Sequence, residues 1–253
     1  MFFTDSHCHL DFKEFNAIRA QLINECAQHN IHRFIVPGIT AKSWSRVIEL
    51  ASHHSNIHAC LGLHPWWINK ASDEDLITLE NLLVAEKIVA VGEIGIDGAF
   101  DNIEQQTTFF IKQLAIANKF DKPVVIHHRK SHHLIQPILK ANSVNKAGVI
   151  HAFSGNYQQA KAYLDLGFKL GIGGTITYER AHKTRDAIKK IPLESILLET
   201  DAPAMPLAGF QGEINSPLKI TNVFEQLCAL RNEQNKHIAN QIEQNVEQLF
   251  TLR

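Results

Sequence analysis

The sequence predicts an α/β protein with the (β/α)8 fold of a TIM barrel. The chain has 253 residues, a length at which α/β barrels commonly form a single domain. Short apolar, β-branched runs alternate with amphipathic stretches of helical length, which is the pattern of a parallel sheet covered by helices. About eight such runs occur, and eight parallel strands close a barrel.

The elements follow one another along the whole chain. The predicted strands are residues 2–7, 33–37, 58–63, 88–93, 124–127, 148–151, 168–171 and 196–201. Apolar residues at helical spacing predict outer helices over residues 41–52, 72–86, 104–120, 132–141, 158–166 and 181–191. Residues 217–252 are expected to form two closing helices. No low-complexity linker interrupts the pattern, so we expect one domain over residues 1–253.

Composition excludes several classes of protein. With 45% hydrophobic and 20% charged residues, the chain is neither disordered nor fibrous. Its 25 Lys+Arg and 26 Asp+Glu give a formal net charge of -1, which argues against a protein that binds duplex DNA through a broad basic surface. The N-terminal sequence lacks the features of a signal peptide, and no apolar run has the length of a membrane span. We therefore expect a cytoplasmic protein with no membrane association and no obligate protein partner.

Four cysteines, Cys8, Cys26, Cys60 and Cys228, lie far apart in apolar sequence, without a CxxC pair. This distribution predicts buried, reduced thiols and not a disulfide or thiolate metal site.

Histidines and carboxylates are concentrated where the predicted strands end. In a TIM barrel a charged or imidazole group at the carboxyl end of a strand usually faces the active site. His7 and His9 share one face of the first strand, because side chains alternate along a strand, and Cys8 faces the other way. Further candidates close the later strands: Glu93, His127, His151 and Asp201.

The fifth strand contains two adjacent histidines, His127 and His128, of which only one can point inward. We predict that His127 does, together with Val125 and Arg129.

Six ligand-type residues at one rim predict a metal site. A single strand-end histidine is more often a packing or surface residue. Packing does not account for six ligand-type residues at one rim: His7, His9, Glu93, His127, His151 and Asp201. Six ligands exceed the needs of one tetrahedral ion and suit two divalent ions roughly 3.5–4 Å apart that share a water. Imidazole and carboxylate ligands without thiolate fit zinc, manganese, magnesium or similar ions, and leave the choice among them open.

Several longer motifs are spread along the chain: DSHCHLD at residues 5–11, GLHP at 62–65, VGEIGID at 91–97, PVVIHHR at 123–129, HAFSG at 151–155 and LETDAP at 198–203. Together they resemble the motifs of the TatD-related deoxyribonuclease family, over essentially the whole chain. Two more segments, GGTITY at 173–178 and PLAGFQG at 206–212, resemble a YjjV-type subgroup.

The resemblance implies an amidohydrolase-like TIM barrel that hydrolyses phosphodiester bonds in DNA with two metal ions. It implies that Glu93 bridges the ions, that His7, His9 and Asp201 serve one of them, and that His127 and His151 serve the other. It also implies that His64 and Arg129 bind the substrate phosphate. A guanidinium binds phosphate oxygens in a bidentate manner, although an ion pair of Arg129 with Glu93 or Asp201 is the alternative.

These assignments lead to a mechanism in which Glu93 and Asp201 are catalytic. Asp201 is the expected general base for a water that the two ions activate. Because the protein has no basic face, we expect the substrate to be a DNA strand end or a short single strand. The expected action is exonuclease-like. An amidohydrolase or esterase acting on a small molecule is the alternative, because the same ions polarise a carbonyl. A non-catalytic metal-binding protein is a third interpretation.

Four aromatic residues, Trp66, Trp67, Phe100 and Phe210, fall in predicted rim loops. Such rings either stack on bases or pack the loops, and packing is the expected role of each. His132 and His133 begin the helix after the fifth strand, where we expect solvated side chains.

Overall fold

The structure is a computed structural model that describes residues 1–252; Arg253, the last residue of the predicted domain, lies outside the described part. The strands are β1 Phe3–Asp5, β2 Ile31–Gly38, β3 Ile57–Leu61, β4 Ile88–Asp97, β5 Val124–Arg129, β6 Gly148–Ile150, β7 Lys169–Ile172 and β8 Ile196–Leu198. The α-helices are α1 Arg19–Gln28, α2 Ala41–His53, α3 Asp73–Ala85, α4 Ile103–Lys119, α5 His132–Ala141, α6 Tyr157–Leu164, α7 His182–Ile188, α8 Ile220–Leu230 and α9 Asn235–Phe250.

The eight strands of the described residues form one sheet in the order β1 to β8, with helices between successive strands. The pairs β1–β2, β3–β4, β4–β5, β5–β6 and β7–β8 are parallel. Strand order equal to chain order, with a helix in each crossover, is the topology of a (β/α)8 barrel. The predicted fold class is confirmed.

The described chain divides into two compact units. The first comprises residues 1–36, 152–161 and 169–252. Within it β1 pairs with β2 and β7 with β8, while α8 and α9 pack against β1 and β8. Phe3 of β1 contacts Phe224 of α8, with ring centroids 5.0 Å apart. The two closing helices thus cover the strands from which His7, His9 and Asp201 follow.

The second unit comprises residues 37–151 and 162–168. Its central strand is β4, which pairs with β3 on one side and β5 on the other. Helix α4 packs along β4, and Phe110 and Leu114 of that helix are fully buried. The length and burial of β4 fix the position of Glu93 and of the residues that follow it.

Four predicted strands, those corresponding to β1, β3, β6 and β8, extend beyond the observed ends. We predicted that His7 ends the first strand and Asp201 the last, but β1 ends at Asp5 and β8 at Leu198. Beyond these points the backbone leaves the strand conformation, and Asp201 adopts a left-handed φ of 57°. His7, His9 and Asp201 are therefore loop residues immediately after the strands, so the strand alternation used to place them does not apply. Conversely, β4 extends four residues past the predicted end, to Asp97.

The predicted helices are present, and one further helix, α1, was not predicted. Only Leu22, Ile23 and Cys26 of α1 are buried. Three buried positions in ten residues make a narrow apolar stripe, which periodicity does not detect. The two predicted closing helices are α8 and α9, preceded by a 3₁₀ turn at Pro217–Lys219.

All four cysteines, which lie within residues 1–252, are free thiols, and Cys8, Cys26 and Cys60 are buried. Burial raises the pKa of Cys26 to about 12 and that of Cys228 to about 11. Cys8, Cys26 and Cys60 are buried as predicted, whereas Cys228 is only half-buried. No helix in residues 1–252 has both the length and the apolar character needed to cross a membrane.

Candidate metal centre

In the first unit, His7, His9 and Asp201 converge on one point. The Nε2 atoms of His7 and His9 lie 3.6 Å and 3.5 Å from the same oxygen, Asp201 Oδ1. Both imidazoles are buried, and the carboxyl group of Asp201 is 14% exposed. The ring of His9 stacks on Phe12 at 4.5 Å, which fixes its orientation.

A buried carboxyl group, Asp5, connects the two loops that carry these side chains. Asp5 Oδ1 accepts hydrogen bonds from the backbone N–H of His7 (3.3 Å) and of Thr200 (3.0 Å), and Asp5 Oδ2 accepts from the Thr200 hydroxyl (2.5 Å). The backbone N–H of Asp201 in turn donates to His7 O at 2.9 Å. Burial raises the pKa of Asp5 to about 8, although its hydrogen bonds oppose the shift. Asp5 was not among the site residues predicted from the sequence.

Asn215 holds the loop that follows Asp201. Its side-chain amide donates to the carbonyl oxygens of Thr200 (2.8 Å), Ala204 (2.8 Å) and Met205 (3.2 Å). The side chain is buried, so these carbonyls are satisfied without water. The left-handed backbone at Asp201 is thereby supported from both sides.

In the second unit, three histidines surround Glu93. Oε1 of Glu93 lies 2.9 Å from His127 Nδ1, 3.2 Å from His64 Nε2 and 3.5 Å from His151 Nε2. Glu93 and His151 are buried, and the His127 side chain is 11% exposed. The structure therefore brings Glu93, His127 and His151 together, and adds His64 to them.

The hydrogen bonds of His64 indicate which of its nitrogens carries the proton. Nδ1 accepts a hydrogen bond from the backbone N–H of Trp66 at 3.1 Å, as the N-cap of the 3₁₀ turn Pro65–Lys70. A nitrogen that accepts bears no proton, so in the neutral ring the proton lies on Nε2, which faces Glu93. Nε2 is then a hydrogen-bond donor and not a metal ligand.

The choice of His127 over His128 is consistent with the structure. His127 faces Glu93, whereas the His128 ring is buried against His132 of α5 at 4.4 Å. His132 was expected to be solvated, but its Nδ1 lies 3.0 Å from the Tyr163 hydroxyl and its ring is half-buried. The contact between His128 and His132 is therefore part of the packing behind β5.

Asp97 is a site residue that the sequence prediction missed. It lies at the end of β4, fully buried, and its Oδ2 is 3.3 Å from His127 Nε2. The same oxygen accepts a hydrogen bond of 2.5 Å from Trp66 Nε1 and lies 3.8 Å from an Arg129 nitrogen. The alternative role predicted for Arg129 was an ion pair with Glu93 or Asp201, but in the structure its ion-pair partner is Asp97. The motif at residues 91–97 contained Asp97, but only tertiary contacts reveal its partners.

The charges of His127 and Asp97 are coupled. Burial alone would raise the pKa of Asp97, but hydrogen bonds from His127, Trp66 and the Ala99 backbone hold it well below its ordinary value. Burial would lower the pKa of His127, but hydrogen bonds to Asp97 and Glu93 outweigh it and raise the pKa. A carboxylate on Nε2 fixes the ring so that Nδ1 points to Glu93, the arrangement commonly found behind metal-binding histidines.

Two of the four rim aromatics are exposed next to this cluster. Trp66 and Phe100 are 47% and 43% exposed, with ring centroids 6.3 Å apart. Trp67 is also exposed and lies beside Lys70, while Phe210 lies beneath the Lys219 ammonium. The exposed part of Trp66, Trp67 and Phe100 amounts to 38–47% of each side chain, so loop packing accounts for only part of each ring.

Both sets of side chains fit a divalent metal ion. An ion with bonds of about 2.1 Å to tetrahedrally arranged ligands holds neighbouring ligand atoms about 3.4 Å apart. The two distances around Asp201, 3.5 and 3.6 Å, match this separation. Around Glu93 the separations to His127 and His151 are 2.9 and 3.5 Å. All donors are nitrogen or carboxylate oxygen, which suits zinc, manganese or a similar ion.

Comparison with known proteins gives the same family over the whole chain. The sequence profile of the TatD related DNase family matches residues 4–251. The chain is 44% identical to the metal-dependent hydrolase YjjV of Escherichia coli (strain K12), over 99% of this chain and 98% of that protein. It is 41% identical to a metal-dependent hydrolase of Haemophilus influenzae, over 99% of this chain and all of that protein.

The fold agrees with the sequence relationship. The crystal structure of Escherichia coli YjjV, described as a TatD homologue, superposes with a TM-score of 0.97 and covers 99% of this chain and 98% of its own. Sequence profile, identity and fold thus agree over nearly all described residues, and the chain belongs to the TatD related DNase family.

Proposed function

We propose that the protein is a metal-dependent hydrolase that cleaves phosphodiester bonds in DNA. The observation that carries the proposal is the exposed guanidinium of Arg129 beside the Glu93 cluster. The Arg129 side chain is 54% exposed and approaches Asp97 only to 3.8 Å, so about half of its surface is open to solvent. A cation so placed favours an anionic substrate. Membership of the family and the descriptions of both relatives as metal-dependent hydrolases support the same class.

His7, His9 and Asp201 would hold one divalent ion, and Glu93, His127 and His151 would supply ligands for a second. Zinc, manganese and magnesium are the candidates, and the bridging role of Glu93 stays a prediction. Bound ions supply Lewis acidity, which stabilises charge on phosphate oxygens and lowers the pKa of a water.

The chain's own residues then bind the phosphate and move the proton. Arg129 donates to the phosphate oxygens, where negative charge builds up in the transition state, and His64 is the second phosphate contact that the family resemblance implies. Asp201 accepts the proton of the attacking water, because Asp5 and Asn215 hold the loop that carries it and its carboxyl group is still partly open to solvent. Glu93 orients the imidazoles around it.

The substrate form follows from the charge balance. The net charge of -1 gives no broad basic surface to neutralise a duplex, so a strand end or a short single strand fits best. We expect exonuclease-like action, with linear DNA cleaved and closed circular DNA resistant. Equal cleavage of both would exclude it.

The test is cleavage of end-labelled single-stranded DNA by the metal-loaded protein, beside the folded variants Asp201→Asn and Arg129→Ala. Both variants should lose at least about 100-fold in rate, the scale on which general bases and charge-stabilising donors act. A chelator should abolish cleavage and added metal restore it.

A small-molecule hydrolase would behave differently. If the metal-loaded wild type cleaves no DNA but hydrolyses a neutral ester, and Arg129→Ala leaves that rate unchanged, the phosphodiester proposal is wrong.

A further inference from the structure

The second unit presents a pair of aromatic rings beside the residues that surround Glu93. The exposed fractions of Trp66 and Phe100, 47% and 43%, are large for such side chains, since burying a ring of this size is worth several kcal/mol. The rings lie next to each other with an interplanar angle of 44°. They form a continuous apolar surface, which we call the Trp66–Phe100 surface.

The indole of Trp66 is fixed and does not rotate freely. Its Nε1–H donates to the buried Asp97 Oδ2 at 2.5 Å, and its backbone N–H donates to His64 Nδ1 at 3.1 Å. The edge of the ring is thus anchored while its remaining surface is open. A ring held in one orientation binds a flat ligand with little loss of entropy.

The surface lies directly beside the groups assigned to the phosphate. The Trp66 ring centroid is 5.2 Å from that of His64 and 6.2 Å from that of His127. Arg129 approaches the same Asp97 oxygen that anchors Trp66. One buried carboxylate oxygen therefore contacts the His127 imidazole and the Trp66 indole and lies near the exposed Arg129 side chain.

We propose that the Trp66–Phe100 surface is a subsite that stacks on the base of the nucleotide flanking the phosphate bound by His64 and Arg129. The subsite rests on the proposed function, whose substrate it specifies as a strand with an unpaired base. The ligand class is a nucleobase joined to a phosphate through a sugar, which spans the short distance between an imidazole and a neighbouring ring. Because every base has an aromatic face, the subsite is tolerant of sequence.

Binding can be tested separately from cleavage. We would titrate the metal-loaded protein with thymidine 5′-monophosphate and with 2-deoxyribose 5-phosphate, which has the same sugar and phosphate but no base. The wild type should bind the nucleotide about 10-fold more tightly, in the range found for one stacked base. Trp66→Ala and Phe100→Ala should each remove most of that difference while leaving the affinity for deoxyribose phosphate unchanged.

Trp67→Ala is the matched control. Trp67 is the next residue, is similarly exposed, and lies over Lys70, not beside His127. The Trp67→Ala variant should bind the nucleotide and deoxyribose phosphate with the affinities of the wild type. Trp66→Phe keeps a ring but loses the bond to Asp97, so its affinity should fall between those of the wild type and Trp66→Ala.

Cleavage gives the second readout. With end-labelled DNA whose terminal units are abasic, the wild type should show a KM about 10-fold above that for natural DNA, and kcat within about 2-fold. Trp66→Ala should raise KM for natural DNA only.

The outcomes separate the two proposals. Equal binding of nucleotide and deoxyribose phosphate by the wild type, or unchanged nucleotide binding by both Trp66→Ala and Phe100→Ala, overturns the subsite. Base-dependent binding without any DNA cleavage supports the subsite and overturns the phosphodiesterase.

Discussion

His127 Nε2 lies 3.3 Å from Oδ2 of Asp97, a carboxylate at the end of the neighbouring strand. The parallel register pairs Asp97 with Arg129 and Gly95 with His127, so the carboxylate lies two residues further along β4 than the register partner of His127. Asp97 is itself held by Gln106, whose side chain accepts from the Asp97 N–H at 2.7 Å. The orientation of a candidate metal ligand is therefore set by a second residue on a rigid strand.

Substitution of Asp97 should weaken metal binding at the Glu93 cluster. Asp97→Asn removes the negative charge that favours the Nε2–H form of His127, and Asp97→Ala also removes the acceptor. We expect a 10- to 100-fold loss of zinc or manganese affinity at one site, as for other carboxylates behind ligand histidines. Titration against a chromogenic chelator measures it. Asp101→Ala, an exposed carboxylate nearby, is the control, and equal affinities for all three variants would contradict the role of Asp97.

Gly95 permits the close approach of β4 to His127. Its φ is +140°, and a Cβ there would lie 2.1 Å from the backbone oxygen of His127. Gly95→Ala should therefore displace β5 and cost about 3 kcal/mol or more of unfolding free energy. Gly209→Ala provides the comparison, because φ is +88° but no atom lies within 4 Å of the added Cβ. It should cost only about 1 kcal/mol. Denaturant unfolding measures both, and equal losses would rule out the clash.

Glu243 should make the stability depend on pH. It accepts hydrogen bonds from the Thr4 backbone (2.7 Å) and hydroxyl (2.6 Å), and burial raises its pKa from 4.5 to about 6. Since the folded state holds this proton more tightly, its contribution is fully present below pH 4.5 and is lost as the pH rises through 6. The loss amounts to about 2 kcal/mol.

Glu243→Gln keeps both hydrogen-bonding positions without the charge. The variant should match the wild type near pH 4.5 and be more stable above pH 7. The gain in unfolding free energy should be up to about 2 kcal/mol, reduced by the attraction between Glu243 and Arg33 that the variant loses. The free energy of unfolding at the two pH values tests this. Glu225→Gln, on the exposed face of α8, shows the effect of removing a surface charge. A wild-type advantage that grows with pH would refute the prediction.

The cysteines should react slowly in the folded protein. Cys8 and Cys60 are fully buried, and burial raises the pKa of each thiol far above its ordinary value. A thiol reagent at pH 8 should label the half-buried Cys228 first and the other three only on unfolding. Labelling of Cys8 at the rate of Cys228 would show that the loop of His7 and His9 opens.

The sequence by itself determined the strand and helix pattern, because apolar periodicity depends on which face of each element is buried. It also predicted candidate ligands, since His7, His9, Glu93, His127, His151 and Asp201 fall at or near the carboxyl ends of predicted strands, where side chains of a TIM barrel usually face the active site. The lone missed helix, α1, has too few buried residues to show a period.

Only the tertiary structure decided which groups hold the candidate ligands in place. Asp5 and Asp97 act through hydrogen bonds to residues far away in the chain, Thr200 and Trp66, and Asn215 acts through hydrogen bonds to the loop that precedes it. Their partners depend on strand register and loop conformation, which composition and periodicity do not encode. The exposure of Trp66 and Phe100 was decided in the same way, because the anchor of the indole is a carboxylate 31 residues further along the chain.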